Sequence, residues 1–299
     1  MDVISRDALK GVYIPIATPF AENEDLDLEA LRFNMTRYQR SGIRGYLALG
    51  SNGENKSLTE DERLAVVDAV VAGRGEGQVV MAGVMYEAQR HAEQFLAALR
   101  GRGADIALLQ SPSYFKKLLT DDCLYRYFVA LAEVSPVPVM IYNCPIFNDI
   151  DLSRELLAKL SEHPNIIGMK DSTAGADPGI MDLDREDFCV MPGSSTKLAG
   201  FVARGSIGAT LSNANYHPEL AARLFAGLMA GSNEAERLNS ALLAANKRIA
   251  GAFGVPGVKA AMTLVGLKGG IPRRPYAPLK ADQIEQVKAA LADIDASNL

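Results

Sequence analysis

The feature that most constrains this chain is a repeated cycle. A short, almost wholly apolar run is followed by a turn, a longer amphipathic stretch and a glycine-marked loop. The runs are Val12–Ala17, Tyr46–Leu49, Val79–Val84, Ile106–Leu109, Val137–Tyr142, Ile166–Met169, Phe188–Met191 and Ile207–Leu211. Strands that read as continuous apolar segments, not as alternation, are buried on both faces, as in a parallel sheet covered by helices.

The stretches between them read as helices. Thr59 followed by Glu62 is a capping box opening Asp61–Val71. Tyr86–Arg100 and Asp121–Glu133 carry apolar residues at three- and four-residue spacing, and Ser153 precedes a Leu156/Leu157/Leu160 face. Gly73-Arg74-Gly75-Glu76-Gly77 is glycine-dense but precedes a strand, so it reads as a plain connection and not a phosphate cradle.

Strands alternating with helices in this number fit an α/β fold, the (β/α)8 TIM barrel. An open doubly wound sheet is the alternative, and no strand-GxGxxG-helix unit supports it. After Ser212 the pattern becomes all-helical, over Pro218–Ala230, Asn233–Ala250, Val258–Leu267 and Ala281–Ala296. A length of 299 residues suggests two domains at ~100–200 residues each, but an α/β barrel spends ~250 on one core. The expected division is therefore residues 1–225 as a barrel carrying the active site and residues 226–299 as a C-terminal helical extension packed on it.

Composition narrows the function classes. Lys plus Arg number 31 against 36 Asp plus Glu, a net charge of -5, which suits neither nucleic acid nor an anionic membrane. Arg273-Arg274 is the one basic pair of note. Cys123, Cys144 and Cys189 form no CxxC, which points to a reducing, cytoplasmic setting. The start MDVISRDALKG lacks a basic-then-apolar leader pattern, and no apolar segment approaches the ~18–20 residues of a membrane span. His91, His163 and His217 fall in no metal-ligand spacing, so no metal is expected.

In a barrel the chemistry sits at the C-terminal ends of the strands. Lys170 closes the apolar segment Ile166-Ile167-Gly168-Met169. Desolvation lowers a lysine pKa from its ordinary ~10.4, and a neutral amine attacks a carbonyl to form a Schiff base. The alternatives open here are a lysine paired with a carboxylate such as Asp171, or one whose head reaches water. Tyr142 ends the preceding strand, where a phenol beside an amine shuttles protons; an aromatic ring filling the top barrel layer fits as well. Gly50-Ser51-Asn52-Gly53-Glu54 lies between a strand and a helix and offers side-chain and backbone donors to a carboxylate or other small oxyanion. An ordinary turn is the alternative, and the missing Gly-Lys-Ser/Thr ending excludes a Walker loop.

Together these residues resemble the dihydrodipicolinate synthase / N-acetylneuraminate lyase family, over nearly the whole chain from Val12–Phe20 to Pro278. Gly50–Glu54 is similar to the family's Gly-(Ser/Thr)-X-Gly-Glu loop, Tyr142–Pro145 to its Tyr-Asn-X-Pro, Gly168–Ser172 to its Gly-X-Lys-(Asp/Glu)-(Ser/Thr), and Gly208 through Ala214-Asn215 to its late Gly and Ala-Asn segment. The resemblance implies a (β/α)8 barrel with a C-terminal helical extension and a Schiff base with pyruvate or another 2-oxo acid, with no cofactor beyond that covalent bond. It implies Lys170 as the Schiff-base lysine and Tyr142 as the proton relay. Ser51 and Asn52 would bind the 2-oxo acid carboxylate, Ser51 also linking Tyr142 into a hydrogen-bond chain. Tyr114 would be the tyrosine inserted across a subunit contact of a homotetramer or homodimer, and Gly193 and Thr210 would line the pocket.

Dihydrodipicolinate synthases usually carry an Arg shortly after Tyr-Asn-X-Pro. Pro145-Ile146-Phe147-Asn148-Asp149 has none and adds an acid, which disfavours an anionic second substrate. The Ser-Asn loop resembles that of 4-hydroxy-2-oxoglutarate aldolases and sugar-acid aldolases. His163–Ser172, Phe253–Lys259 and Gly269-Gly270 resemble the former, where Ser172 and Asn52 would help hold a distal carboxylate. The expected function is a metal-free class I lyase or aldolase acting on a small 2-oxo acid. The alternatives are a synthase joining pyruvate to aspartate semialdehyde, a dehydratase of 3-deoxy-2-oxo sugar acids, and a non-catalytic 2-oxo acid binder.

Overall fold

The computed structural model describes residues 4–175 and 179–296. Its strands are β1 (Gly11–Pro15), β2 (Gly45–Ala48), β3 (Val79–Val84), β4 (Ile106–Gln110), β5 (Val139–Asn143), β6 (Ile166–Asp171), β7 (Cys189–Pro192) and β8 (Gly208–Thr210). They pair in the order β7-β6-β5-β4-β3-β2-β1-β8, the connectivity of a (β/α)8 barrel. Every apolar run of the sequence is a strand, shifted by at most a few residues, and nearly every strand residue is buried.

The helices are α1 (Leu28–Tyr38), α2 (Glu60–Gly73), α3 (Gln89–Leu99), α4 (Asp121–Val134), α5 (Pro145–Asn148), α6 (Arg154–Leu160), α7 (Ser195–Ala203), α8 (Pro218–Met229), α9 (Asn233–Arg248), α10 (Ala250–Leu264) and α11 (Ala281–Ala296). The expected Val258–Leu267 helix begins eight residues earlier than its apolar pattern suggests. Gly254, at φ 58, breaks α10, and Pro256 then falls in the first turn of the segment after the break, where a missing N–H costs nothing. Among the described residues no helix is long and apolar enough to cross a membrane.

The chain forms two compact units. One holds Val79–Thr210 with the N-terminal segment up to Lys10, and the other holds Gly11–Gln78 with the chain from Leu211 onward. In the first unit, β3 through β7 pair in parallel, and the register sets Tyr142 opposite Lys170 and Asn143 opposite Asp171. Thr120 and Ser153 cap α4 and α6 through their side chains. Arg6 anchors the N-terminal turn on Asp184 at 2.5 Å.

In the second unit, β1 pairs with β2, Asp27 caps α1, and the Thr59–Glu62 capping box opens α2 as its sequence indicates. Helices α8 to α11 bury one another's apolar faces through Leu224, Leu238, Leu242, Met262 and Val287. The turn after β8 is held by Asn215. Its amide donates to Pro15 O at 2.9 Å, and its Oδ1 accepts from Ala17 N–H at 3.0 Å. Asn215→Ala leaves a buried carbonyl and a buried N–H unpaired, each costing ~1–3 kcal/mol. A fall of about 2–4 kcal/mol in urea-unfolding stability is expected, and an unchanged midpoint would show that the clamp carries no load.

Candidate active site

In the first unit the reactive groups collect at the C-terminal ends of β5, β6 and β7. Lys170 and Tyr142 are both buried, and the Lys170 ammonium lies 3.8 Å from the centre of the Tyr142 ring. Burial pulls the Lys170 amine down to about 8, although Cys144 and Asp171 nearby pull it the other way. Among the described residues no carboxylate lies within ion-pairing distance of Lys170. Of the alternatives left open by the sequence, pairing with Asp171 does not occur. Successive residues of a strand face opposite ways, and the Asp171 carboxylate is taken by Lys197 of α7 at 2.5 Å.

The strand ends are laced together by Gly193 N–H to Asp171 O at 2.7 Å and Ser172 N–H to Asn143 O at 2.8 Å. Position 193 has no room for a side chain: a Cβ there would run into Ser172 Oγ and sit 3.0 Å from Lys170 Cε. Gly193, Ser172 and Lys170 are therefore neighbours. The Ser172 hydroxyl oxygen is buried, with the Cys144 thiol beside it and no nitrogen or oxygen partner among the described residues. Thr210, the last residue of β8, is buried. The sequence reading overlooked Cys144, the variable residue of Tyr-Asn-X-Pro. Its thiol is wholly buried, which pushes its pKa up, while the Tyr142 hydroxyl and the Lys170 charge pull it down.

Ser51 and Asn52 belong to the second unit, in a 3-10 turn over Ser51–Gly53. Asn52 donates to Ser212 Oγ at 2.9 Å, and Thr18 Oγ1 donates to the Gly53 carbonyl at 2.8 Å. Left-handed residues flank the turn, Leu49 at φ 60 and Glu54 at φ 50. A bulky leucine in that region is strained, and strain of this kind persists only where the surroundings hold it. The hold comes from α10 and the segment after it. The Lys259 ammonium sits 2.5 Å from Glu54 Oε1 and donates to Ile271 O at 2.6 Å, while the Arg273 N–H donates to Glu54 Oε2 at 3.0 Å. Burial draws the Lys259 amine below the ordinary lysine value.

The basic pair Arg273-Arg274 is not a free patch. Arg273 makes two 2.7 Å bonds to the Glu62 carboxylate, holding it down at about 2, and Arg274 pairs with Glu24 at 2.7 Å. Glu62 thus serves both the α2 cap and this bridge. Asp149 is likewise paired, with Lys116, so its charge is offset. Tyr114 is 80% exposed, and its backbone N–H is held by Glu87 at 2.9 Å. Among the described residues no group of three or more His, Cys, Asp or Glu side chains is placed to hold a metal.

A barrel with a buried lysine beside a tyrosine at its strand ends is equipped for carbonyl chemistry through an amine. The pattern of the dihydrodipicolinate synthetase family matches residues 8–294, and the chain belongs to that family, whose members are class I pyruvate-dependent lyases using a lysine Schiff base. It is 31% identical over 287 residues to a 4-hydroxy-tetrahydrodipicolinate synthase of Acidiphilium cryptum, covering 95% of this chain and 98% of the relative. It is 29% identical over 296 residues to a protein of Emericella nidulans named "Probable 4-hydroxy-2-oxoglutarate aldolase, mitochondrial", covering 97% and 96%. An L-threo-3-deoxy-hexylosonate aldolase of Hypocrea jecorina is 27% identical over 300 residues, with 95% of each chain covered. Among solved structures, a dihydrodipicolinate synthase of Agrobacterium tumefaciens superposes with a TM-score of 0.87 at 26% identity, covering 96% and 98%. A family protein of Coccidioides immitis superposes with a TM-score of 0.87 at 25% identity, covering 98% of both chains.

Breaking a buried ion pair by removing one partner costs ~3–5 kcal/mol, because the other charge stays buried alone. Lys259→Met is expected to lower stability by about that amount, with Glu54→Gln/Lys259→Met recovering much of it. Equal stability of the single and double variants in denaturant titration would refute the coupling.

Proposed function

We propose that this chain is a class I aldolase acting on a small 2-oxo acid of the 4-hydroxy-2-oxoglutarate or sugar-acid type, with Lys170 as the Schiff-base nucleophile. The observation that carries the reading is the Lys170 amine itself, buried, without an ionic partner and lowered to about 8 beside the Tyr142 ring.

In this scheme the neutral amine adds to the C2 carbonyl, and the carbinolamine loses water to give an iminium. The Tyr142 phenol protonates the departing carbinolamine hydroxyl, and the phenolate so formed takes the proton of the C4 hydroxyl as the C3–C4 bond breaks and its electron pair moves toward the iminium nitrogen. The products are an aldehyde and an enamine; protonation at C3 and hydrolysis then release pyruvate and free Lys170. Ser51 and Asn52 receive the substrate carboxylate. The buried Ser172 hydroxyl takes a polar group of the distal half, and Gly193 and Thr210 shape the pocket wall. The stretch after Tyr142-Asn143-Cys144-Pro145 has no Arg, which weighs against dihydrodipicolinate synthesis, and Lys116 offsets the Asp149 charge that would otherwise weigh against an acidic substrate. Relatives bearing synthase and aldolase names match at similar identity, so the residues of the pocket carry this choice.

We also propose that a second copy of the chain covers the surface around Tyr114, in a homotetramer or homodimer. Tyr114, Phe115, Leu118, Ile146 and Phe147 are 65–80% exposed, an unusual concentration of large apolar side chains in water. A cytoplasmic, reducing setting suits the buried thiols of Cys144 and Cys189.

Borohydride reduction with pyruvate is expected to attach a reduced three-carbon adduct at Lys170, read by peptide mass. Trapping should speed up as pH rises toward about 8 and then level off, because the amine is protonated below its pKa. No adduct at Lys170 would sink the scheme. A panel of 4-hydroxy-2-oxoglutarate, sugar-derived 2-oxo acids, N-acetylneuraminate, and pyruvate with aspartate semialdehyde then identifies the substrate. Free aldehyde plus pyruvate marks an aldolase, and a dioxo acid without cleavage marks a dehydratase. Separately, Phe115→Asp/Leu118→Asp is expected to reduce the mass measured by light scattering to that of one chain; an unchanged mass would move the contact elsewhere.

A further inference from the structure

Lys197 is a charged residue on an otherwise apolar face of α7, between the buried Ser195 and Leu198. Its side chain is only 4% exposed and that of its partner Asp171 only 1%. A buried ion pair is weak evidence of stabilisation, since well-packed apolar residues in its place are often as stable. Its position suggests another use, because Asp171 directly follows Lys170.

We propose that Lys197 and Asp171 are positioning residues for the Lys170 amine: α7 supplies the counter-charge that holds the Asp171 carboxylate on the opposite face of β6 and leaves Lys170 without an ionic partner. The inference rests on the reading of Lys170 as the Schiff-base nucleophile.

The Asp171 carboxylate is fully occupied on its own face. Oδ2 accepts from Lys197 Nζ at 2.5 Å and from the Thr173 hydroxyl at 3.0 Å. Oδ1 accepts from Thr173 N–H at 3.4 Å and from Asn143 Nδ2 at 3.5 Å. Lys197 also donates to Thr173 Oγ1. Asn143 is fixed in turn, donating to Asp151 Oδ1 at 2.9 Å and accepting from Leu152 N–H at 3.1 Å. The titratable groups facing Lys170 are Tyr142 of β5 and Cys144 just after it, and Asp171 acts on it through charge from the opposite face of its own strand. Those facing Asp171 are Lys197 from α7 and, through Asn143, Asp151. An uncompensated carboxylate within ~4–6 Å raises an amine's pKa by ~1–3 units. With Asp171 bound to Lys197, its remaining pull on the Lys170 amine is outweighed by burial, the largest influence there.

The test follows the pH dependence of borohydride trapping at Lys170, with pyruvate as the probe, so it requires no knowledge of the natural substrate. Lys197→Met leaves Asp171 uncompensated. Its trapping profile should move up by about one pH unit, roughly ten-fold less adduct per unit time at pH 7. Lys197→Arg should restore the wild-type profile. Asp171→Asn/Lys197→Met removes both charges and should trap near the wild-type pH, and Asp171→Asn alone should move the profile down. If Lys197→Met does not fold, the double variant and Asp171→Asn carry the test. A purely structural role predicts lost stability or amplitude with every profile unmoved, and that result would overturn the proposal. Failure of wild-type trapping at Lys170 would instead overturn the Schiff-base reading on which it rests.

Discussion

The arrangement of the first unit turns on one costly choice, an amine withdrawn from water and given no counter-ion. Lys170 is buried at the end of β6 against the Tyr142 ring, and that burial draws its proton affinity down to about 8. The surroundings follow from this demand. Asp171 is turned away and bound to Lys197, Gly193 has no side chain to crowd the amine, and the β5–β7 ends are stitched by backbone bonds. A water-exposed lysine, at its ordinary ~10.4, would hold roughly a hundred-fold less neutral amine at neutral pH.

The second unit uses the opposite device, pairing a buried charge with a buried counter-charge. Glu54, at the end of the Ser51-Asn52-Gly53 turn, sits in a left-handed conformation that bulky residues avoid, and Lys259 and Arg273 hold it there. The helices after β8 thus do more than cover apolar surface, since α10 contributes the cation that fixes a turn in the proposed carboxylate-binding loop. Arg273 extends the network to Glu62 and so to the start of α2.

Specificity in this reading resides in few side chains. The chain belongs to a family of class I pyruvate-dependent lyases, and its relatives bear both synthase and aldolase names. The residues proposed to carry that choice are the buried Ser172, Cys144 beside Lys170 and Tyr142, and Asp149, paired with Lys116.

The sequence by itself determined the strand count, the order of elements and the residue types at the strand ends. These depend on local apolar periodicity and turn chemistry, which a linear pattern records. It also singled out Lys170, Tyr142 and the Gly50–Glu54 loop as candidates, because short motifs are contiguous. It did not reveal which charge answers which. A lysine next to an aspartate in sequence suggests a pair, yet strand alternation sends them to opposite faces, and the partner of Asp171 comes from α7, twenty-six residues away. The partner of Glu54 lies on α10, and the basic pair Arg273-Arg274, which reads as an exposed patch, is consumed by Glu62 and Glu24. Electrostatic pairing depends on distance and burial, not on order along the chain, so only the tertiary structure could decide that Lys170 is buried without a carboxylate partner among the described residues.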